Sequence, residues 1–199
     1  MKYLLPISYL GSIEYYAFII QKEDVLIESQ EHFIKGSLRN RCYIYNTNGI
    51  QMLSVPKQRK NSKHTIISKI SISHNEEWQK KHYQALRSAY NSSPFFKYLE
   101  DNIKDIYKNR QDNLFDFNLS LTQKILSFLG VNKEIRLTSE YVQNFNGIDL
   151  RDYNFDSVKN ENYYQVFQEK YGFIPNLSIL DLIANIGLES AEYLRKLSI

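Results

Sequence analysis

Two hydrophobic periods alternate along this chain. Tyr3, Leu4, Leu5 and Ile7 form a short apolar run that reads as a buried strand over Lys2–Tyr9, bent at Pro6. Ser12 then stands as a helix N-cap ahead of Ile13, Tyr16, Ala17 and Ile20 at helical spacing. Val25–Ser29 predicts a second strand. A strand, a helix and a strand in so few residues predict a βαβ unit with parallel strands. Arg41–Pro56 predicts a β-hairpin turning at Asn48-Gly49, two residues that tolerate positive φ. Ile66, Ile70 and Ile72 alternate with polar residues, which predicts another strand over Thr65–Ser73.

The period then lengthens. Asn75 is placed to cap a helix whose apolar stripe is Trp78, His82, Ala85, Leu86 and Ala89. Pro94 opens another, with Phe95, Tyr98, Leu99, Ile103, Ile106 and Tyr107 on its expected buried side. Asp112–Leu129 predicts a third, stopped by Gly130. Glu134–Thr138 reads as a short strand, Ser139–Asn162 as loop and Tyr163–Tyr171 as a short amphipathic element. Ser178 and Asp181 fit a capping box before Leu182, Ile183 and Ile186, and a last helix carries Ala191, Leu194 and Leu197. The pattern predicts one α/β domain over residues 1–199. Its mixed sheet comes largely from residues 1–73, with an N-terminal βαβ unit and a β-hairpin. Helices between 75 and 130 cover it, and residues 139–199 form a loop-rich and helical C-terminal part.

Composition narrows the function. With 199 residues and 43% hydrophobic content the chain buries a core without staples. A net charge of +3 gives no reason to expect nucleic acid or an anionic membrane surface. Cys42 is the one cysteine, so no internal disulfide forms, which fits a cytoplasmic setting. The first residues lack a signal-peptide core, and no apolar run is long enough to span a bilayer. Walker, dinucleotide-binding and nucleophile-elbow glycine patterns are missing. The histidines at 32, 64, 74 and 82 lack zinc-site spacing, so no metal or nucleotide cofactor is signalled. Oligomeric state is not encoded in any of these patterns.

The densest candidate chemistry is Lys35-Gly36-Ser37-Leu38-Arg39-Asn40-Arg41. If the following strand begins early, Arg39 and Arg41 point to one side and, with Asn40, form a fork for phosphate or carboxylate oxygens. A solvated turn bearing surface arginines is the plainer alternative. Glu28, Ser29, Glu31, His32 and Lys35 fall just past the second strand, where open α/β sheets bind ligands. His82 reads either as a hydrogen-bonded core histidine or as a general base at a pocket edge. The basic run Lys57–His64 is either a solvated loop or a phosphate-attracting flap. Cys42, in a strand, reads as core more readily than as a nucleophile.

Taken together, several elements resemble the WbqC-like protein family. They are Pro6…Tyr9, Val25-Leu26-Ile27-Glu28, Lys35-x-Ser37-x-Arg39-Asn40-Arg41-x-x-Ile44, and Asn48-Gly49…Leu53-Ser54-Val55-Pro56. Trp78-x-x-Lys81-His82, Ala89-Tyr90…Pro94-Phe95-Phe96 and Phe173-x-Pro175-Asn176-Leu177-Ser178-Ile179-Leu180-Asp181-Leu182 complete the set in order. Ser139–Asn162 departs from the longer members by appearing shortened and by carrying Asp149-Leu150-Arg151-Asp152. The resemblance implies a transferase in O-antigen-type polysaccharide biosynthesis, moving glycine or a similar acyl group to an amino sugar on a nucleotide carrier. A nucleotidyl transferase is a related reading, and a sugar-nucleotide-binding or scaffolding protein is the non-catalytic one. In the enzyme reading Lys35, Arg39 and Arg41 hold phosphate or carboxylate, Asn40 and His32 help bind substrate, and Tyr9, Tyr15 and Trp78 stack on it. His82 deprotonates the amine and Glu28 orients His82 or binds a sugar hydroxyl. ATP and Mg²⁺ enter only if the acyl group needs activation.

Overall fold

The computed structural model describes residues 1–59, 64–156 and 161–199. The chain runs β1 (Lys2–Pro6), α1 (Ile13–Gln21), β2 (Asp24–Glu28), β3 (Arg41–Asn46) and β4 (Gly49–Ser54). There follow α2 (Trp78–Tyr90), α3 (Phe96–Lys108), α4 (Leu114–Phe128), β5 (Arg136–Leu137) and β6 (Ile148–Asp149). Short helices α5 (Gln168–Tyr171), α6 (Ile179–Ile186) and α7 (Glu189–Lys196) close it.

Among the described residues the parallel and antiparallel strands form two separate sheets. The parallel sheet has the order β5-β2-β1-β6. Its centre is the expected βαβ unit, with Leu4 opposite Leu26 and Leu5 opposite Ile27. Leu5 and Ile27 are fully buried, so the apolar run and the pairing fix one register. Its outer strands come from residues 136–137 and 148–149, far from the segment expected to supply the sheet. The short strand expected over Glu134–Thr138 is β5, whereas β6, two residues with exposed side chains in the stretch read as loop, leaves no hydrophobic signature. The hairpin β3–β4 stands alone, in the register that the Asn48-Gly49 turn sets, with Gly49 at φ 95°.

Helix α1 crosses between β1 and β2, and α6 and α7 pack against it. Helices α2, α3 and α4 pack on one another, on β3 and on the 3₁₀ turn Ile67–Lys69, rather than chiefly over the parallel sheet. The core joins residues from Leu5 to Leu197.

Four expectations are corrected. Thr65–Ser73 is not a strand: Ile67, Ile70 and Ile72 are buried around the 3₁₀ turn, and their backbone bonds go to Glu31, Ile67 and Asp112 carbonyls. Helix α2 starts at Trp78 without a side-chain cap, so Asn75 does not open it. Phe95 and Tyr98 are exposed, because the stripe of α3 is Phe96, Leu99, Ile103, Ile106 and Tyr107. Ser178 caps α6 through the Leu180 N–H, but Asp181 does not complete the box; its carboxylate accepts from the Tyr163 hydroxyl at 2.6 Å and from Gln165 Nε2 at 2.8 Å. Residues 60–63 of the basic run and 157–160 of the late loop lie outside the described residues.

Candidate functional site

A cavity of about 500 Å³ opens past the carboxyl end of β1. Parallel sheets place ligand sites there because loops and helix N-termini converge at that end. Pro6 and Leu10 line it from the β1 side, and residues 36–39 and 41–43 form one wall. Residues 151–156 form the facing wall, with Pro175, Asn176 and Ser178 between. The segment with the least sequence pattern thus builds an entire wall, starting where β6 pairs with β1.

Backbone strain concentrates here. Among the described residues the non-glycine positions at positive φ are Leu10 (46°), Phe155 (45°) and Asn176 (52°), and all three line this cavity. Such conformations cost about 1–3 kcal/mol each and persist where the surroundings enforce them, often at ligand sites. Asn176 shows how. Its Oδ1 accepts from the Glu14 N–H at 2.9 Å and its Nδ2 donates to the Phe155 carbonyl at 2.6 Å. Fully buried Glu14 accepts in turn from the Tyr153 hydroxyl at 2.6 Å.

The N-termini of α1 and α6 meet at the cavity floor. Ser12 and Ser178, their N-caps, form an antiparallel bridge, and both line the cavity. The first N–H groups of both helices are satisfied within the protein: Ile13 by Leu177, Tyr15 by Ser12 Oγ, Ile179 by Gly11 and Leu180 by Ser178 Oγ. What they offer a ligand is the positive end of two helix dipoles.

The two arginines of the opening stretch have different fates. Strand β3 begins at Arg41, so Arg39 precedes the strand and the expected same-side fork does not form. Arg39 is buried, and its Nε and Nη2 grip Glu31 at 2.7 and 2.5 Å while Nη2 also reaches the Arg151 carbonyl at 3.1 Å. Burial raises the Glu31 carboxyl, against the pull of Arg39. Arg151 is likewise held, by Asp149 at 2.5 Å and by Glu28 at 3.2 Å, with its guanidinium 4.9 Å from the Tyr141 ring centre. Asp149 pulls the Arg151 pKa up further. The Arg41 side chain has no hydrogen-bond or ion-pair partner among the described residues, and its Nε is buried. A Cβ on Gly36 would lie 3.4 Å from Arg41 Nη1, so this glycine at φ 80° leaves room for the guanidinium.

The remaining nominated residues are dispersed. Lys35 and His32 are exposed and do not line the cavity; the His32 ring lies 5.8 Å from that of His64. Asn40 donates to Ser54 Oγ and the Val55 carbonyl. Glu28 is fully buried; besides Arg151 it accepts from Thr138 and the Gln30 and Val142 N–H groups, so it does not orient His82. His82 Nδ1 lies 2.8 Å from the Tyr9 hydroxyl, which is 2.7 Å from that of Tyr107. Burial lowers the His82 pKa to about 4. Tyr15 is buried with its hydroxyl on the Pro6 carbonyl, and Trp78 is buried edge-on to His82 and Phe117. Neither Tyr9, Tyr15 nor Trp78 presents a ring face to this cavity's lining. Cys42 does line it, with burial pushing its thiol up. No group of three His, Cys, Asp or Glu side chains among the described residues is placed to hold a metal ion.

Sequence reading missed Leu10, Phe155, Asn176 and Arg151. Pro175-Asn176 carries a turn signal, since Asn tolerates positive φ. Leu10 and Phe155 carry none.

Comparison with known proteins agrees with the motif order. The model described as the WbqC-like protein family matches residues 8–151. An uncharacterised protein of Mycobacterium tuberculosis (strain ATCC 25618 / H37Rv), Rv1507c, is 27% identical over 219 aligned positions covering 94% of each chain. No solved structure matches the chain. Among the described residues no helix is long and apolar enough to cross a membrane.

Proposed function

The chain belongs to the WbqC-like protein family, and from that premise we propose that it is a transferase of surface-polysaccharide biosynthesis, moving glycine or a similar acyl group to an amino sugar on a nucleotide carrier. Family membership associates it with polysaccharide biosynthesis. One observation supports the finer reading: the unpaired guanidinium of Arg41 lines a cavity at the meeting point of two helix N-termini. A guanidinium binds phosphate through charge-assisted, often paired hydrogen bonds, and the dipoles add to its field.

In this reading Arg41 holds the carrier phosphates and the walls place the amine against the acyl carbon. The amine nitrogen forms the amide bond, the donor's leaving group departs and the nitrogen releases one proton. His82 and Glu28 lie outside the cavity lining, so positioning two reactants is the protein's main contribution. That the two nominated catalytic residues, His82 and Glu28, do not line the cavity favours a second reading, a sugar-nucleotide-binding component without turnover.

Thermal shift of the protein and of Arg41→Ala against nucleotide-linked amino sugars tests both. Binding to the native state raises the melting point by mass action. A shift that the variant loses supports the anion site; an equal shift in the variant overturns it. Mass spectrometry of the bound sugar after addition of glycine and ATP then separates transfer from binding alone.

A further inference from the structure

Two charged side chains line the cavity without a partner among the described residues, and they have opposite signs. One is Arg41. The other is Asp152, exposed on the facing wall, whose carboxylate makes no hydrogen bond or ion pair with any described residue. The remaining charged residues of the lining are occupied: Arg39 by Glu31, Arg151 by Asp149 and Glu28, and Asp156 by the Asn154 amide at 2.5 Å. Had the free guanidinium and the free carboxylate met, they would satisfy one another. Instead they face one space of about 500 Å³ without bonding, so each is left for whatever fills it.

Asp152 is held by its backbone. β6 leads into a turn in which the Tyr153 N–H donates to the Leu150 carbonyl at 3.1 Å, with Arg151 and Asp152 at its centre. The Leu150 N–H donates to the Leu4 carbonyl of β1 at 2.8 Å, and the Tyr153 hydroxyl to buried Glu14 at 2.6 Å. Between these anchors the Arg151 carbonyl, part of the same peptide unit as the Asp152 N–H, accepts from Arg39 Nη2 at 3.1 Å. Arg39 is locked by Glu31, and its own carbonyl accepts from Asn118 Nδ2 at 2.7 Å. One buried ion pair thus fixes the peptide that bears Asp152 and stands two residues before Arg41. An aspartate serves a turn when its carboxylate bonds a nearby backbone N–H. This one makes no such bond, so the turn does not account for it.

We propose that Asp152 is the amine subsite of the cavity: its carboxylate takes a protonated primary amine on a ligand whose phosphate lies on Arg41. The assignment deepens the transferase reading and rests on it for the Arg41 end only. It defines the substrate class by two charges of opposite sign. The ammonium N–H donates to the carboxylate, and the proton lost on acylation is not assigned to Asp152.

Calorimetric titration of the full chain with two probes isolates the nitrogen, since glucosamine 1-phosphate carries an amine where glucose 1-phosphate has a hydroxyl. The native protein is expected to prefer the amine about tenfold, the worth of one hydrogen bond between charged groups in a site open to water. Asp152→Asn is expected to bring that ratio to about one without weakening glucose 1-phosphate. Its melting temperature is expected to stay native, because the carboxylate loses no partner. Asp156→Asn, at the occupied carboxylate, is expected to keep the preference. Equal binding of both probes by the native protein, binding of neither, or a preference that survives in Asp152→Asn overturns the proposal. So does a preference lost in Asp156→Asn alone. Arg41→Ala separates the two readings: it is expected to weaken both probes alike and to leave their ratio. If it changes neither affinity while Asp152→Asn still abolishes the preference, the anion-site reading of Arg41 fails and the amine subsite stands.

Discussion

The arginines that line the cavity hold their charge in opposite ways. Arg39 and Arg151, on facing walls, are each gripped by carboxylates, Glu31 for one and Asp149 and Glu28 for the other. Arg41, on the same wall as Arg39, has no such partner among the described residues and stands opposite the neutral Ser54 in the hairpin. Arg39 and Arg41 are two residues apart, so the difference is not one of residue type. It comes from where β3 begins: Arg39 lies in the preceding turn within reach of Glu31, whereas Arg41 is carried by the strand to the cavity. A guanidinium already saturated by carboxylate organises the fold, and one left unsatisfied is available to a ligand.

The largest expected effect comes from breaking the saturated side. Glu31→Ala leaves a buried arginine charge uncompensated and is expected to cost about 3–5 kcal/mol of stability, read by denaturant unfolding. An effect within about 0.5 kcal/mol would place Arg39 in the same class as Arg41 and erase the comparison.

Acidity probes two buried groups. Burial lowers His82 to about 4 and raises Asp181 to about 6. The depressed histidine contributes stability that is present above its ordinary value of 6.5 and is lost as pH falls through about 4. The raised carboxyl has the opposite sign: its contribution is present at low pH and is lost as pH rises from 3.8 through about 6. Each spans about 3 kcal/mol at most, so the two oppose each other across the same window. Asp181→Asn is therefore expected to steepen the loss of stability between pH 6.5 and 4. His82→Gln is expected to flatten or reverse it. Denaturant midpoints across that range check both, and parallel curves for all three proteins would refute the assignment.

Arg41→Ala tests the free side. Stability is expected to change by no more than about 0.5 kcal/mol, since no intramolecular bond is lost. Affinity for a phosphate-bearing ligand is expected to fall by about ten- to a hundredfold in a binding titration, the worth of hydrogen bonds to a charged group. The smallest expected effect is Gly49→Ala in the hairpin turn. No neighbour lies within 4 Å, so the cost is the backbone's alone, about 1 kcal/mol at φ 95°. Thermal unfolding measures it, and an unchanged ligand affinity would show that the turn is remote from the site.

The elements that the sequence disclosed are those whose signals are local. Apolar runs and caps marked β1, α1 and β2, Asn48-Gly49 marked the hairpin, and helical periodicity marked α2 to α4. In each case the residues that fix the conformation lie within a few positions of one another, so the chain alone determines it. Composition likewise bounded the core, and the ordered motifs pointed to the family. The tertiary structure decided the rest. Strand β5 was legible as the short strand over Glu134–Thr138, but β6, two residues inside a stretch that reads as loop, takes its place from the backbone partners that β1 offers. Arg39 and Arg41 are alike in local pattern; Glu31, eight residues from Arg39, chose between them. His82 took its place from Tyr9, seventy-three positions away, and Asn176 its positive φ from Glu14 and Phe155. Partners so distant in sequence meet only after the chain has closed on itself, which is why the fold's outline was written locally and its site was not.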